Sequence, residues 1–220
     1  MDVWLTAPSE LAPRWDWLSA DERARAERFI VPHAREEFVA ARTLIRGELA
    51  RREGCEPQAL DFRFGEHGRP VLNPPRAFDF NLSHTRGMVA CAIGTSVFGI
   101  DVENATRPTD FSGVARIVFT EGERASLAAH PDPRRYFFEM WTLKEAYIKA
   151  RGMGFSLPPR QFEVSFTATP RLRFIGFADP QTWYTTVWWP TAEHVCAIVS
   201  DTRTVGTLHH QGHATEILIQ

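Results

Sequence analysis

The stretch FGIDVE at 98–103 sets Asp101 and Glu103 two residues apart. On an extended strand that spacing puts both carboxylates on one face with Gly99, about 7 Å apart along the chain, and gives Ile100 and Val102 the other face. Two acids beside a residue with no side chain leave room for a hard cation. Mg²⁺ takes one or two protein carboxylates and completes its shell with water and phosphate oxygens. The same pattern also describes a solvent-facing strand edge with two solubilising acids.

A second chemical segment is YFFEMWTLKEAYIK at 136–149. At about 100° per residue, Phe137, Met140, Trp141, Leu143, Tyr147 and Ile148 gather into one apolar arc. Lys144 falls inside the arc, so its ammonium must snorkel or find a partner. Glu145 and Lys149 lie one turn apart at the margin. An exposed Glu–Lys pair at that spacing contributes only a few tenths of a kcal/mol. Composition argues for more, because Lys144 and Lys149 are the only lysines among 25 basic residues. A chain that otherwise uses arginine keeps compact, titratable ammonium groups here.

Weaker signals surround these two. FNLSHT at 80–85 is a strand running into a polar turn that presents Ser83 and His84. No G-x-S-x-G elbow accompanies them, so phosphate contact or turn formation fits better than a hydrolase triad. GRP at 68–70 is a turn with one base, Arg69, ahead of Pro70. TEGE at 120–123 fits a capping box, which explains Glu123 structurally before any chemistry.

These groups need elements to hold them. A capping box at Ser19 and Glu22 opens an Arg-rich helix that Pro32 interrupts, and a second helix is expected over 34–52, ending near Gly54. Strand-like runs follow at 62–64, 78–81, 88–93 and 97–103. A helical block covers 111–118, 121–129 and 134–151, and further strands are expected at 162–166, 172–177, 183–189 and 195–199. Helices then strands, twice over, predict an α+β protein of two similar halves, 1–105 and 106–220. MVACAIGTS at 88–96 and HVCAIVSDT at 194–202 echo each other, as duplicated segments or as apolar strands alike by chance. The final HHQGHATEILIQ reads as a tail whose histidines are a solvated cluster or a metal site.

Bulk properties exclude several classes. With 44% hydrophobic and 24% charged residues, wholesale disorder is excluded. No apolar run approaches the roughly 18–20 residues of a membrane span, and MDVWLTAPSELAPRW has no signal-peptide character. Cys55, Cys91 and Cys196 form no CxxC spacing and read as buried free thiols, as expected in a reducing, cytoplasmic compartment. A net charge of −2 argues against a dedicated nucleic-acid binder, although residues 14–52 hold nine arginines against seven acids.

Taken in order, these segments resemble the 4′-phosphopantetheinyl transferases of the surfactin-synthetase (Sfp) type. The resemblance runs through ERARAERF at 22–29, REEFVAARTLIR at 35–46, GRP at 68–70, FNLSH at 80–84, FGIDVE at 98–103 and FTEGE at 119–123. It closes on WTLKEAYIKARGMGFSLP at 141–158, and GIDVE followed by W-x-x-KEA-x-x-K is its specific part. The resemblance implies transfer of 4′-phosphopantetheine from coenzyme A to a serine of an apo acyl or peptidyl carrier protein, with release of 3′,5′-ADP. It implies Mg²⁺, with Mn²⁺ as a substitute, held by Asp101, Glu103 and Glu145. Lys149 would stand beside the phosphates, with Asp101, Glu145 and Lys149 as the catalytic set. Arg42, Arg69, Pro70, Ser83 and His84 would contact the 3′-phosphate end, with Arg28 and Arg35 as helpers. Lys144 is left as a phosphate contact or a packing residue, and Glu123 outside the catalytic set. The implied molecule is a monomer with its site in the cleft between two halves related by a pseudo-two-fold, and with neither nucleic-acid nor membrane partners. The rivals are a Mg²⁺-dependent phosphodiesterase or pyrophosphatase acting on a nucleotide, and a coenzyme A-binding module without catalysis.

Overall fold

Residues 1–166 and 169–220 are described by a computed structural model. Ser19 caps α1 (Ala20–Glu27): its hydroxyl accepts the Glu22 N–H, and the Glu22 carboxylate accepts the Ser19 N–H. Pro32 starts a helix instead of interrupting one. At the first position its missing N–H would have had no intrahelical partner, and α2 (Pro32–Glu53) runs from it to Gly54 at φ 67°. After α3 (Phe111–Val118), Thr120 caps α4 (Glu121–Ala129) in the expected box, and α5 (Pro133–Arg151) ends on Gly152 at φ 62°.

One sheet joins, in spatial order, β12 (His213–Ile219), β11 (Thr204–His210), β1 (Asp2–Thr6), β5 (Met88–Gly94) and β4 (Asp79–Thr85). A second joins β6 (Phe98–Asn104), β10 (His194–Ser200) and β9 (Tyr184–Trp188). Two hairpins stand apart, β2 (Asp61–Phe64) with β3 (Pro70–Asn73), and β7 (Phe162–Phe166) with β8 (Pro170–Phe174).

The architecture is α+β and repeats one arrangement twice, a long helix laid across buried strands. Ala41, Leu44, Ile45 and Leu49 of α2 pack on Phe80, Val89, Cys91 and Ile93. Leu143, Ala146, Tyr147 and Ala150 of α5 pack on Ala197 and Val199. The echo between 88–96 and 194–202 falls on β5 and β10, the wholly buried strand under each helix.

Between the two sheets lies a shared core of Val3, Leu5, Met88, Ala90, Phe98, Ile100, Val102, Cys196, Ile198, Ile217 and Ile219. The sheets close on each other at both edges. On one side β4 meets β6 through side chains: Asn81 accepts the Ile100 N–H at 3.0 Å, Ser83 that of Val102 at 3.3 Å, and Thr85 that of Asn104 at 3.1 Å. On the other, the Thr185 N–H donates to the Gln220 carbonyl at 2.9 Å and the Thr186 hydroxyl to that of Leu218 at 2.7 Å.

Chain order and sheet order therefore diverge. β6 pairs with β10 of the second expected half, and β11 runs parallel to β1 of the first. The segment read as a tail is the β11–β12 hairpin, and His209 stacks on Trp4 with ring centroids 5.0 Å apart. Cys91 and Cys196 are buried free thiols as expected, whereas Cys55 is exposed.

Candidate active site

At the β4–β6 seam, beneath α5, a cavity of about 270 Å³ is lined by Ser83, His84, Asp101, Glu103, Trp141, Glu145 and Lys149 among others. Strand periodicity puts Asp101 and Glu103 there together, and one turn of α5 brings Glu145 and Lys149 over them. Gly99 serves a different purpose from the cation space expected of it. A Cβ on Gly99 would lie 2.1 Å from the Ala146 carbonyl oxygen and 2.4 Å from the Ala150 nitrogen, so the helix backbone fills that space. The glycine lets α5 approach close enough for Lys149 to reach Asp101.

The Lys149 ammonium donates to Asp101 Oδ1 at 2.7 Å, and the Ser83 hydroxyl donates to the same oxygen at 2.7 Å. Asp101 Oδ2 is buried with no hydrogen-bond partner among the described residues. Trp141 Nε1 donates to Glu103 Oε1 at 2.9 Å, and Arg107 pairs with that oxygen at 3.2 Å. Burial pushes the Glu103 carboxyl up to about 7, reinforced by the Asp101 charge and opposed by Arg107 and the Trp141 hydrogen bond. Glu145 is likewise pushed up to about 7, by burial first and by Asp101 second, against the pull of Lys149.

Among the described residues no three His, Cys, Asp or Glu side chains stand close enough to hold a metal ion as they are. The donor set nevertheless suits a divalent cation. It offers hard oxygens, one of them buried without a partner among the described residues, and two carboxyls that burial and a neighbouring negative charge keep from ionising at their ordinary pKa.

Arg42, Arg69 and Pro70 spread over two further cavities. Arg69 and Pro70 line a space of about 180 Å³ that shares Leu82 and Lys149 with the first. Arg69 is held by Asp79 at 2.6 Å and by the Phe80 carbonyl at 3.2 Å, and its buried Nε has no partner among the described residues. Arg42 lines a space of about 800 Å³ with Arg25, Arg28 and Gly68, the residue before Arg69. Arg42 Nε faces Glu22 at 3.4 Å, its buried Nη1 has no partner among the described residues, and burial lowers its pKa. Of the two expected helpers, Arg28 is in this space, whereas Arg35 lines a separate one with Trp15 and donates to the Phe29 carbonyl. His84 presents Nδ1 to Glu37 at 3.6 Å.

Lys144 is not at the site. Its ammonium is fully buried, donating to the Pro159 and Phe162 carbonyls at 2.7 and 2.6 Å and pairing with Glu123 at 2.9 Å. Glu123 also accepts the Val164 N–H at 2.7 Å and completes the α4 cap, so both are packing residues. Reading Trp141 as an apolar arc member missed its polar role. The only clue was an indole N–H at the arc margin, four residues before Glu145.

Two family models match the chain. One described as the 4′-phosphopantetheinyl transferase superfamily matches residues 97–199, and one described as the N-terminal region of 4′-phosphopantetheinyl transferase matches 2–96. The 4′-phosphopantetheinyl transferase HetI of Nostoc is 37% identical over 69% of this chain and 66% of its own length. A 4′-phosphopantetheinyl transferase of Bacillus subtilis is 32% identical over 67% of this chain and 66% of its own. The chain thus spans just under two thirds of these relatives. A Thermotoga maritima holo-[acyl-carrier-protein] synthase structure superposes with a TM-score of 0.42 at 20% identity, covering 51% of this chain and 67% of that one. With consecutive matches running from residue 2 to residue 199, the chain belongs to the 4′-phosphopantetheinyl transferase superfamily.

Proposed function

We propose that the protein is a transferase of the Sfp type, moving 4′-phosphopantetheine from coenzyme A to a serine of an apo acyl or peptidyl carrier protein. The observation that supports this best is the convergence of Asp101, Glu103, Glu145 and Lys149 on one cavity between β4, β6 and α5. In the reaction the serine oxygen bonds to the β-phosphorus of coenzyme A while the bond from that phosphorus to the bridging oxygen breaks, and 3′,5′-ADP leaves. Asp101, Glu103 and Glu145 would hold Mg²⁺ or Mn²⁺, which when bound neutralises the pyrophosphate and the charge growing on the leaving group. Lys149 adds a compact positive charge on the same side, and coenzyme A would draw it from Asp101 towards phosphate. Glu145 would also take the serine proton, directly or through water. Arg42, Arg69, Pro70 and His84, with Arg28 as a helper, would contact the 3′-phosphate end.

In this reading the enzyme acts as a monomer in the cytoplasm, its halves 1–105 and 106–220 supplying opposite walls of the cleft. Incubating it with coenzyme A, Mg²⁺ and a panel of apo carrier proteins tests the proposal by mass spectrometry. A gain of about 340 Da on a carrier, the mass of the transferred group, is expected. Hydrolysis of coenzyme A with no gain on any carrier points instead to a phosphodiesterase. Binding of coenzyme A with no turnover points to a module without catalysis. Asp101→Ala and Glu145→Ala are expected to abolish transfer.

A further inference from the structure

Glu37 is a buried acid that the proposed reaction does not use. It lies in the second turn of α2 with its side chain 8% exposed, and Oε1 is buried with no hydrogen-bond partner among the described residues. An uncompensated buried carboxylate costs free energy, so packing alone gives no reason for an acid at this position. Its other oxygen, Oε2, faces His84 Nδ1 at 3.6 Å, and among the described residues His84 is the one basic side chain within ion-pair distance of it. Strand alternation brings the two together. Asn81, Ser83 and Thr85 accept N–H groups of β6, so Phe80, Leu82 and His84 point the other way, to the face on which α2 lies.

A carboxylate beside a phosphate subsite repels the ligand unless another group stands between them. With the imidazole between, the carboxylate accepts from Nδ1 and leaves Nε2 to the anion, because the partner of one ring nitrogen fixes the role of the other. His84 is 35% exposed, so its ring needs such a partner to keep one orientation. At 3.6 Å the contact is longer than a hydrogen bond, and contacts of this kind tighten once a ligand is in place. We infer that Glu37 is a positioning residue for coenzyme A binding: it holds His84 by Nδ1 so that Nε2 is presented to the 3′-phosphate. This rests on the reading of His84 as a contact of the 3′-phosphate end.

Dissociation constants for coenzyme A and for 3′-dephospho-coenzyme A are measured by titration calorimetry in Mg²⁺ without carrier, so that no group is transferred. The proteins compared are the native chain, Glu37→Ala, Glu37→Gln, His84→Ala and the double variant Glu37→Ala, His84→Ala. Glu37→Ala is expected to weaken coenzyme A binding roughly 10-fold, the scale on which losing a partner that orients a histidine acts, and to leave the dephospho compound within about twofold. Glu37→Gln keeps an acceptor oxygen for Nδ1 and should restore native affinity. The double variant should bind coenzyme A no more weakly than His84→Ala, since Glu37 acts through the ring. A packing defect in α2 would instead weaken both compounds and add to the His84→Ala effect. With histidine labelled with ¹⁵N, His84 Nδ1 should carry a hydrogen-bonded proton in the coenzyme A complexes of the native and Glu37→Gln proteins and lose that signature in Glu37→Ala. Native or tighter coenzyme A binding by Glu37→Ala overturns the proposal, tighter binding showing plain repulsion. A Glu37→Gln protein as weak as Glu37→Ala also overturns it, because charge and not an acceptor at Nδ1 would then be at work. If His84→Ala binds both compounds as the native chain does, the reading of His84 itself falls. Weakened coenzyme A binding in His84→Ala with none in Glu37→Ala leaves that reading intact and removes only Glu37.

Discussion

Glu103 and Glu145 are pushed up to about 7, chiefly by burial and then by the charge of Asp101, and the sign of that shift is testable in the metal-free protein. Between the unfolded carboxyl range near 4.5 and about 7, the folded state holds more protons than the unfolded state, so stability falls as pH rises. The contribution is fully present below the unfolded value and is lost as pH climbs through the folded one. A cation that binds the ionised carboxylates has the opposite dependence. Thermal midpoints measured in EDTA from about pH 5 to about pH 7.5 should lose this contribution, and added Mg²⁺ should raise the midpoint more at the upper end than at the lower. An equal Mg²⁺ effect at both ends contradicts the assignment. The two lysines separate at the same scale. Lys149→Arg should keep the fold and weaken transfer, because a planar fork cannot replace an ammonium 2.7 Å from Asp101. Lys144→Ala should instead cost about 3–5 kcal/mol in denaturant titrations, because it strands a buried Glu123. Composition marked both lysines as unusual and spacing put both on one helix. Neither could show that Lys144 faces Glu123, since that contact crosses from α5 to α4.

Among the elements, β6 and α5 set the site by how closely they approach. Gly99→Ala places a Cβ against the Ala146 carbonyl and the Ala150 nitrogen, both rigid helix backbone, so α5 must lift or tilt away. The variant is expected to lose roughly 2 kcal/mol or more of stability, the scale of core overpacking, and to lose most transfer activity even where it folds. A Gly99→Ala protein with native urea midpoint and native turnover contradicts this account of the glycine. The two-residue period of FGIDVE showed which face carries the acids, and the helical period of 136–149 showed that Glu145 and Lys149 share a margin. What stayed hidden was tertiary. Period fixes faces but not partners, so nothing in 98–104 indicated that β6 would pair with β10, or that the space beside Gly99 would belong to a helix. Pro32 misled for a local reason: proline breaks a helix interior but suits a first turn.

For the molecule as a whole, the candidate site residues lie between residues 28 and 149, yet the cavity depends on strands that come later. β10 carries β6 on one flank and β9 on the other, and β12 closes the far edge against β9. That closure was illegible because the β11–β12 hairpin is short and rich in histidine, and because β11 pairs in parallel with β1, some 200 residues earlier in the chain. Its apolar content is modest but well placed. Ile217 and Ile219 enter the core shared by both sheets, and each contributes about 1.5–3 kcal/mol through burial. Deleting residues 203–220 would remove both and leave the edge of β1 unpaired. It would also expose Val3 and Leu5, although the deleted segment contributes nothing to the site cavity. The deletion is expected to abolish the cooperative thermal transition and, with it, transfer to any apo carrier. The double variant Ile217→Ala, Ile219→Ala should instead remain folded with a lowered midpoint, and at low temperature should show native KM for coenzyme A. A truncated chain that melts cooperatively at the native midpoint and still turns over would show that the closed pair of sheets is dispensable, and that the seam between β4 and β6 alone holds the two walls of the cleft together.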